Sequence, residues 1–242
     1  MTKVLHIGLG KCGSSFLQEE IFPRISKKIK VDYINILENK FFKTDFNKFH
    51  FFENLKNIDK ILPRNFIISN EDLFSKYWEF SRIKSSFNYI KNNFSRDTVI
   101  LLVIRNPYEL LNSIYIQSIH EVRYTKPENF FYLDDKEVTS IKNDKFNLYD
   151  FDQSKLISLY KSYFEKVIVV KYENLSKLDF LKDIFNLDDL FIEDLKKYSH
   201  KLHNRSISKY GVNFIMFLND LFDLKKFQLF IQNLIFKFEK TK

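Results

Sequence analysis

The chain has 242 residues, 45% of them hydrophobic, a single cysteine and a formal net charge of +8. That length and apolar content suit one sizeable packed domain, and one thiol excludes an internal disulfide or a thiolate metal cluster. The positive balance favours anionic ligands or surfaces, but the cations are spread along the chain with no recognised nucleic-acid motif, which argues against a nucleic-acid reader.

Short apolar runs alternate with amphipathic stretches, the pattern of parallel-strand α/β units. Strands are expected at Lys3–Ile7, Lys30–Ile34, Phe66–Ser69, Val99–Ile104 and Val167–Lys171. The last two, VILLVI and VIVVK, are unalternated and β-branched, so burial on both faces is expected. Helices are expected at Ser14–Ile21 (ended or kinked by Pro23), Asp45–Ile58, Glu79–Asn93, Pro107–Arg123, Asp152–Glu165, Leu178–Phe185, Ser208–Phe222 and Lys225–Glu239. Residues 124–149 lack periodicity and are rich in Asp, Asn and Lys, and a connection of that length is expected to be a functional loop or lid. No linker divides the chain, so residues 1–242 are expected to form a single domain closed by helices in 208–242. The first strand begins at about Lys3, before any secretory signal has room to form. No run reaches the roughly 20 apolar residues that span a bilayer, so a cytoplasmic protein without a transmembrane segment is expected. His6, His50, His120, His200 and His203 are too scattered to suggest a metal site.

Three of the four glycines, Gly8, Gly10 and Gly13, fall in one stretch, VLHIGLGKCGSSFL from Val4 to Leu17. An apolar strand runs into a glycine-lysine-glycine loop, and two hydroxyls open the helix that follows. Such a loop aims backbone N–H groups, the positive end of a helix and one ammonium at a common point, which is a phosphate cradle. The nucleotide P-loop reads G-x-x-x-x-G-K-[ST], with lysine after the last glycine. Here Lys11 precedes Gly13, so the loop points to a phosphate without matching an ATP or GTP site. The candidate ligands are Gly8, Gly10, Lys11, Cys12, Gly13, Ser14, Ser15 and Phe16, with Cys12 filling a slot for a small residue.

A second constellation is VILLVIRNPYELLNSIY, residues 99–115. A buried strand delivers Arg105 at its carboxyl end, where open α/β sheets bind ligands. Asn106 suits a helix cap, Pro107 the first helical position and Glu109 a capping box. Ser113 then lies about 10 Å up the helix axis, so a guanidinium fork and a hydroxyl can converge on one phosphate.

Together, the glycine-lysine loop and R-N-P-x5-S resemble the sulfotransferase superfamily, which uses 3′-phosphoadenosine-5′-phosphosulfate as sulfuryl donor. YKSYFEKVIVVKYENL, ending at Leu175, is similar to that family's later strand and its E-x-L segment. His203-Asn204-Arg205-Ser206 is similar to an N-x-S loop of many bacterial members. The likeness touches residues 3–210 and is weak across 22–61 and 124–149. It implies a P-loop-like three-layer α/β sandwich around a central parallel sheet. It also implies that the first loop grips the 5′-phosphosulfate, that Arg105 and Ser113 grip the 3′-phosphate, and that Arg205 reaches a donor phosphate or an acidic acceptor. Adenosine 3′,5′-bisphosphate would be the product, and the chemistry requires no metal.

On this resemblance Lys11 stabilises the departing 5′-phosphate, while Ser14, Ser15 and the loop N–H groups hold it. Glu71, just beyond the strand ending at Ser69, is the leading base for an acceptor hydroxyl; His120, Glu19 and Glu20 are the alternatives. The acceptor is expected to be a saccharide or glycan, and the oligomeric state is left open. Two other functions fit the loop: a P-loop kinase or nucleotide hydrolase, and a non-catalytic nucleotide-binding module.

Overall fold

A computed structural model of the chain describes residues 2–35, 62–70, 73, 83–120, 125–133, 141–142, 145–148, 151–202 and 209–222. The chain divides into two compact units, Met1–Asn106 with Asp152–His203, and Pro107–Phe151 with Asn204–Lys242. The strands are β1 (Lys3–Gly8), β2 (Asp32–Asn35), β3 (Phe66–Ser69), β4 (Val99–Ile104), β5 (Phe131–Tyr132), β6 (Ile141–Lys142), β7 (Lys145–Asn147) and β8 (Val167–Lys171). The helices α2 to α8 are Ile83–Asn93, Pro107–His120, Pro127–Phe130, Gln153–Lys161, Phe180–Phe185, Asp189–Lys196 and Lys209–Phe222, and α1 is the helical run over residues 14–29.

In the first unit, five parallel strands lie in the order β2-β3-β1-β4-β8 with helices flanking the sheet, an α/β three-layer sandwich. Val4, Leu5, Ile7, Ile67, Ile68 and residues 100–103 are almost wholly buried. Central parallel strands covered by helices on both faces have no side that faces water, which is why their sequences run apolar without alternation.

Pro23 does not end the first helix. Residues Ser14–Phe16 pass through a π-turn over Leu17–Ile21 and continue as Phe22–Ile29. The Phe22 N–H bonds the Leu17 carbonyl, five residues back. Pro23 follows this turn with no N–H to give, and the Gln18 carbonyl five residues before it accepts from the Tyr33 hydroxyl at 3.0 Å.

Helix α7, which no periodicity announced, starts at Asp188, whose Oδ1 accepts from the Phe191 N–H at 2.7 Å while Ile192 and Leu195 are buried. The expected helices Asp45–Ile58 and Lys225–Glu239 lie outside the described residues.

In the second unit, part of the stretch expected as an irregular loop has regular structure: α4 and a small sheet in the order β5-β7-β6. Aromatic rings hold it together. Phe130 packs 5.3 Å from Tyr115 and 4.9 Å from Phe131, and Phe131 packs 6.0 Å from Phe146. Edge-on aromatic pairs of this kind let a short segment bury enough surface to hold two- and three-residue strands. No described helix is long and apolar enough to cross a membrane.

Candidate anion-binding site

The strand order creates a crevice. From β1 the chain crosses toward β2 on one flank of the sheet, whereas from β4 it eventually returns to β8 on the other. Adjacent carboxyl ends whose connections diverge form a topological switch point, the usual ligand position in open α/β sheets. The loop after Gly8 leaves one of these ends and Arg105 leaves the other.

The loop is wound tightly. The Cys12 N–H donates to the Leu9 carbonyl at 3.2 Å, and the Leu17 N–H to the Gly13 carbonyl at 3.3 Å. Two residues take left-handed backbone angles, Lys11 at φ 66° and Gly13 at φ 79°. Glycine bears that conformation freely, but lysine does not; the cost is about 1–2 kcal/mol. Strain of this kind persists where the surroundings impose it, and it concentrates at functional sites. Gly13 occupies the N-cap of α1 and so offers no side chain to the first helical N–H groups. Gly8 answers a different need. A Cβ there would stand 3.3 Å from His6 Cε1, tighter than ordinary packing, and 3.4 Å from Ser14 Cβ.

The loop's side chains divide by burial. Leu9, Cys12 and Phe16 point into the core, at 2%, 1% and 4% exposure, so they anchor the loop and leave any ligand contact to their backbone. Lys11 and Ser15 are half-buried, and Ser14 is buried.

Arg105 meets this loop directly: its Nη1 donates to the Lys11 carbonyl at 3.2 Å. Its guanidinium lies over the Tyr172 ring, 4.5 Å from the centroid, so stacking fixes the plane of the fork. The strand tip is pinned as well. Gln153 Oε1 accepts from the Arg105 N–H at 3.2 Å, and Gln153 Nε2 donates to the Arg105 carbonyl at 2.9 Å. The side-chain amide thereby extends the strand ladder by one rung. Glu173 Oε1 accepts from the Asn106 N–H at 3.3 Å. Gln153, Tyr172 and Glu173 were not among the residues expected at the site. The KYENL segment is the sequence signal for the last two; nothing local marks Gln153.

Ser113 is half-buried on α3 in the second unit, and His120 is that helix's last residue. Glu71 and Arg205 lie outside the described residues, but the preceding Asn70 is buried and its N–H donates to the His6 carbonyl at 3.3 Å. Glu19 is exposed, while Glu20 pairs with Arg24 at 3.0 Å, which gives it a structural task. No group of three or more His, Cys, Asp or Glu among the described residues is arranged to hold a metal ion. A cavity of about 560 Å³ opens near the amino ends of the strands, lined by Lys3, Arg64, Lys91 and Tyr163 among others. It lies at the opposite end of the sheet from the loop, and its Lys3 is already paired with Asp97 at 3.0 Å. The switch point is therefore the stronger candidate.

Compared with known proteins, the chain matches no family model and no curated protein.

Proposed function

We propose that the chain is a sulfotransferase that moves a sulfuryl group from 3′-phosphoadenosine-5′-phosphosulfate to a hydroxyl, on a saccharide or glycan acceptor. The observation that carries this is the bond from Arg105 to the Lys11 backbone. It joins a strained, glycine-capped loop and a stacked guanidinium at one switch point, where a doubly anionic nucleotide suits the chemistry. The resemblance in the two motifs supplies the donor's identity.

Transfer would proceed in line. The acceptor oxygen forms a bond to sulfur as the bond from sulfur to the bridging phosphate oxygen breaks, and the hydroxyl proton passes to a carboxylate, with Glu71 the first candidate. Adenosine 3′,5′-bisphosphate leaves, its new charge met by the Lys11 ammonium and the loop N–H groups. Arg105 and Ser113 would hold the 3′-phosphate, and Arg205 is a further candidate contact.

The test is transfer from labelled donor to a panel of sugars and phenols, comparing wild type with Glu71→Gln. Sulfated product from wild type and its loss in the variant support the proposal. Donor binding without transfer to any acceptor replaces it with a nucleotide-binding module. Tight binding of Mg²⁺·ATP with no preference for a 3′-phosphate replaces it with a kinase or nucleotide hydrolase.

A further inference from the structure

Directly beneath the loop is a buried titratable group to which sulfuryl transfer assigns no part. His6 and Ser69 are register partners across β1 and β3, so their side chains share one face of the sheet. Ser69 Oγ lies 2.7 Å from His6 Nδ1 and also accepts from Gln18 Nε2 at 3.2 Å. Exposure is 0% for His6, 0% for Ser69 and 8% for Gln18, and the Phe22 ring packs 5.5 Å from the imidazole. His6 Nε2, by contrast, has no hydrogen-bond partner. That edge of the ring faces the loop: Cε1 and Nε2 stand 3.3 Å and 3.5 Å from where a Gly8 Cβ would be, and Ser14 Cβ stands 3.4 Å from the same point.

Counting protons settles the tautomer. The Gln18 amide nitrogen only donates, so it occupies a lone pair of Ser69 Oγ and leaves the hydroxyl proton to be placed. The acceptor at hand is His6 Nδ1. Nδ1 therefore accepts, and Nε2 carries the hydrogen. The opposite tautomer leaves two buried groups unmatched, the Ser69 proton and the Nε2 lone pair, instead of one. Burial also lowers the imidazole pKa to about 3, so the ring is neutral at working pH. A buried donor with no acceptor is costly to retain unless something completes it.

We propose that His6 is a positioning residue of the anion loop, its Nε2–H donating to the Ser14 hydroxyl oxygen when the loop takes a phosphate, so that the Ser14 proton is turned toward the anion. Gln18 and Ser69 hold the imidazole in the required tautomer. This rests on the loop binding the phosphate end of the donor. It adds a specific link between that loop and β3, the strand that leads into Asn70 and Glu71.

Two measurements test it, with adenosine 3′,5′-bisphosphate as the probe. In nitrogen-15 NMR of the wild-type chain, His6 is expected as the neutral Nε2–H tautomer. Titration should shift Nε2 together with the amides of Gly10 to Ser15 and slow exchange of the Nε2 proton. Substitution separates the two ring nitrogens: a glutamine amide nitrogen falls near Nε2 and an asparagine amide near Nδ1. His6→Gln should keep the dissociation constant within about threefold, and His6→Asn should raise it about tenfold, the worth of one hydrogen bond. The reverse order makes His6 only a tie to Ser69 and overturns the proposal. Loop amides that shift while His6 stays unchanged also overturn it but leave the phosphate loop standing. If no loop amide shifts, both fall. The wild-type spectra decide the matter even where a variant fails to fold.

Discussion

Two helix starts in the same unit follow opposite rules. At α5, Asp152 serves as a complete cap: its Oδ1 accepts from the Ser154 N–H at 2.8 Å, the Lys155 N–H at 3.3 Å and the Ser154 hydroxyl at 2.6 Å. At α1, Gly13 brings no capping side chain, Lys11 is held in a left-handed conformation, and His6 keeps an unmatched nitrogen below. The first end is satisfied by its own sequence. The second spends stability on a strained lysine and a buried, unmatched imidazole nitrogen, the expected condition of a site whose partner comes from outside.

Substitutions at four positions break or sharpen that contrast. Lys11→Ala should lower sulfuryl transfer by about 10²–10³-fold, as loss of a preorganised charge-stabilising group does. Lys11→Gly should lose as much activity yet be at least as stable as the alanine variant, because glycine accepts φ 66° without strain. Equal turnover in wild type and Lys11→Ala removes Lys11 from the chemistry.

Gly8→Ala is expected to destabilise by about 1–2 kcal/mol, the cost of overpacking a dense interior. The new methyl meets His6, which is fully buried and anchored to Ser69 and so has little freedom to withdraw. An unchanged denaturation midpoint shows that the floor of the loop is soft.

Asp152→Ala should cost about 1 kcal/mol at neutral pH and leave adenosine bisphosphate binding untouched. The Ser154 hydroxyl bond is the main cause holding the Asp152 carboxyl below its ordinary range, and the Ser154 and Lys155 N–H groups add to it. A depressed carboxylate stabilises above its unfolded pKa, about 3.9, and that contribution fades as pH falls through the lower native value. Denaturation of both proteins from pH 7 down to about pH 2 should therefore show the gap closing with acid. A gap that widens with acid contradicts the cap.

The smallest effect is expected at Tyr160, whose hydroxyl is fully buried without a partner while its ring packs edge-on to Phe87. Tyr160→Phe keeps the packing and removes the orphan, so stability should be unchanged or higher by up to about 1 kcal/mol. A clear loss of stability reveals a partner for the hydroxyl.

What was legible in the chain followed the range of the interactions. Phe66–Ser69, Val99–Ile104 and Val167–Lys171 are strands at the expected bounds. The first two are buried parallel strands that write themselves locally as apolar runs. Val167–Lys171, expected to be buried on both faces, is instead the edge strand β8 with only Val170 buried, because no further described strand covers its outer side. The loop was legible because glycine is scarce and clusters there. Helix α7 was not: only its cap and the buried Ile192 and Leu195 mark it amid charged neighbours. The β5–β7 sheet was hidden because two- and three-residue strands are too short for a period. Within the site, Gln153 reaches Arg105 across 48 positions and Ser69 reaches His6 across 63, contacts that only the sheet order creates. His6, weighed as a metal ligand and set aside, proved instead to be the floor of the loop.

The π-turn in α1 has a consequence of phase. Each helical residue turns about 100°, so the added residue rotates everything before Leu17 relative to everything after Ile21. The early face, with the loop and Ser14, and the late face, with Phe22 and Ile25 packed in the core, each meet their own surroundings only because of that offset. Deleting one residue between Leu17 and Ile21 would restore a regular helix and swing Gln18 away from Ser69 or Phe22 out of the core. Residues 17–21 thus work as a gear between anchor and site, and the length of this segment is as constrained as its composition.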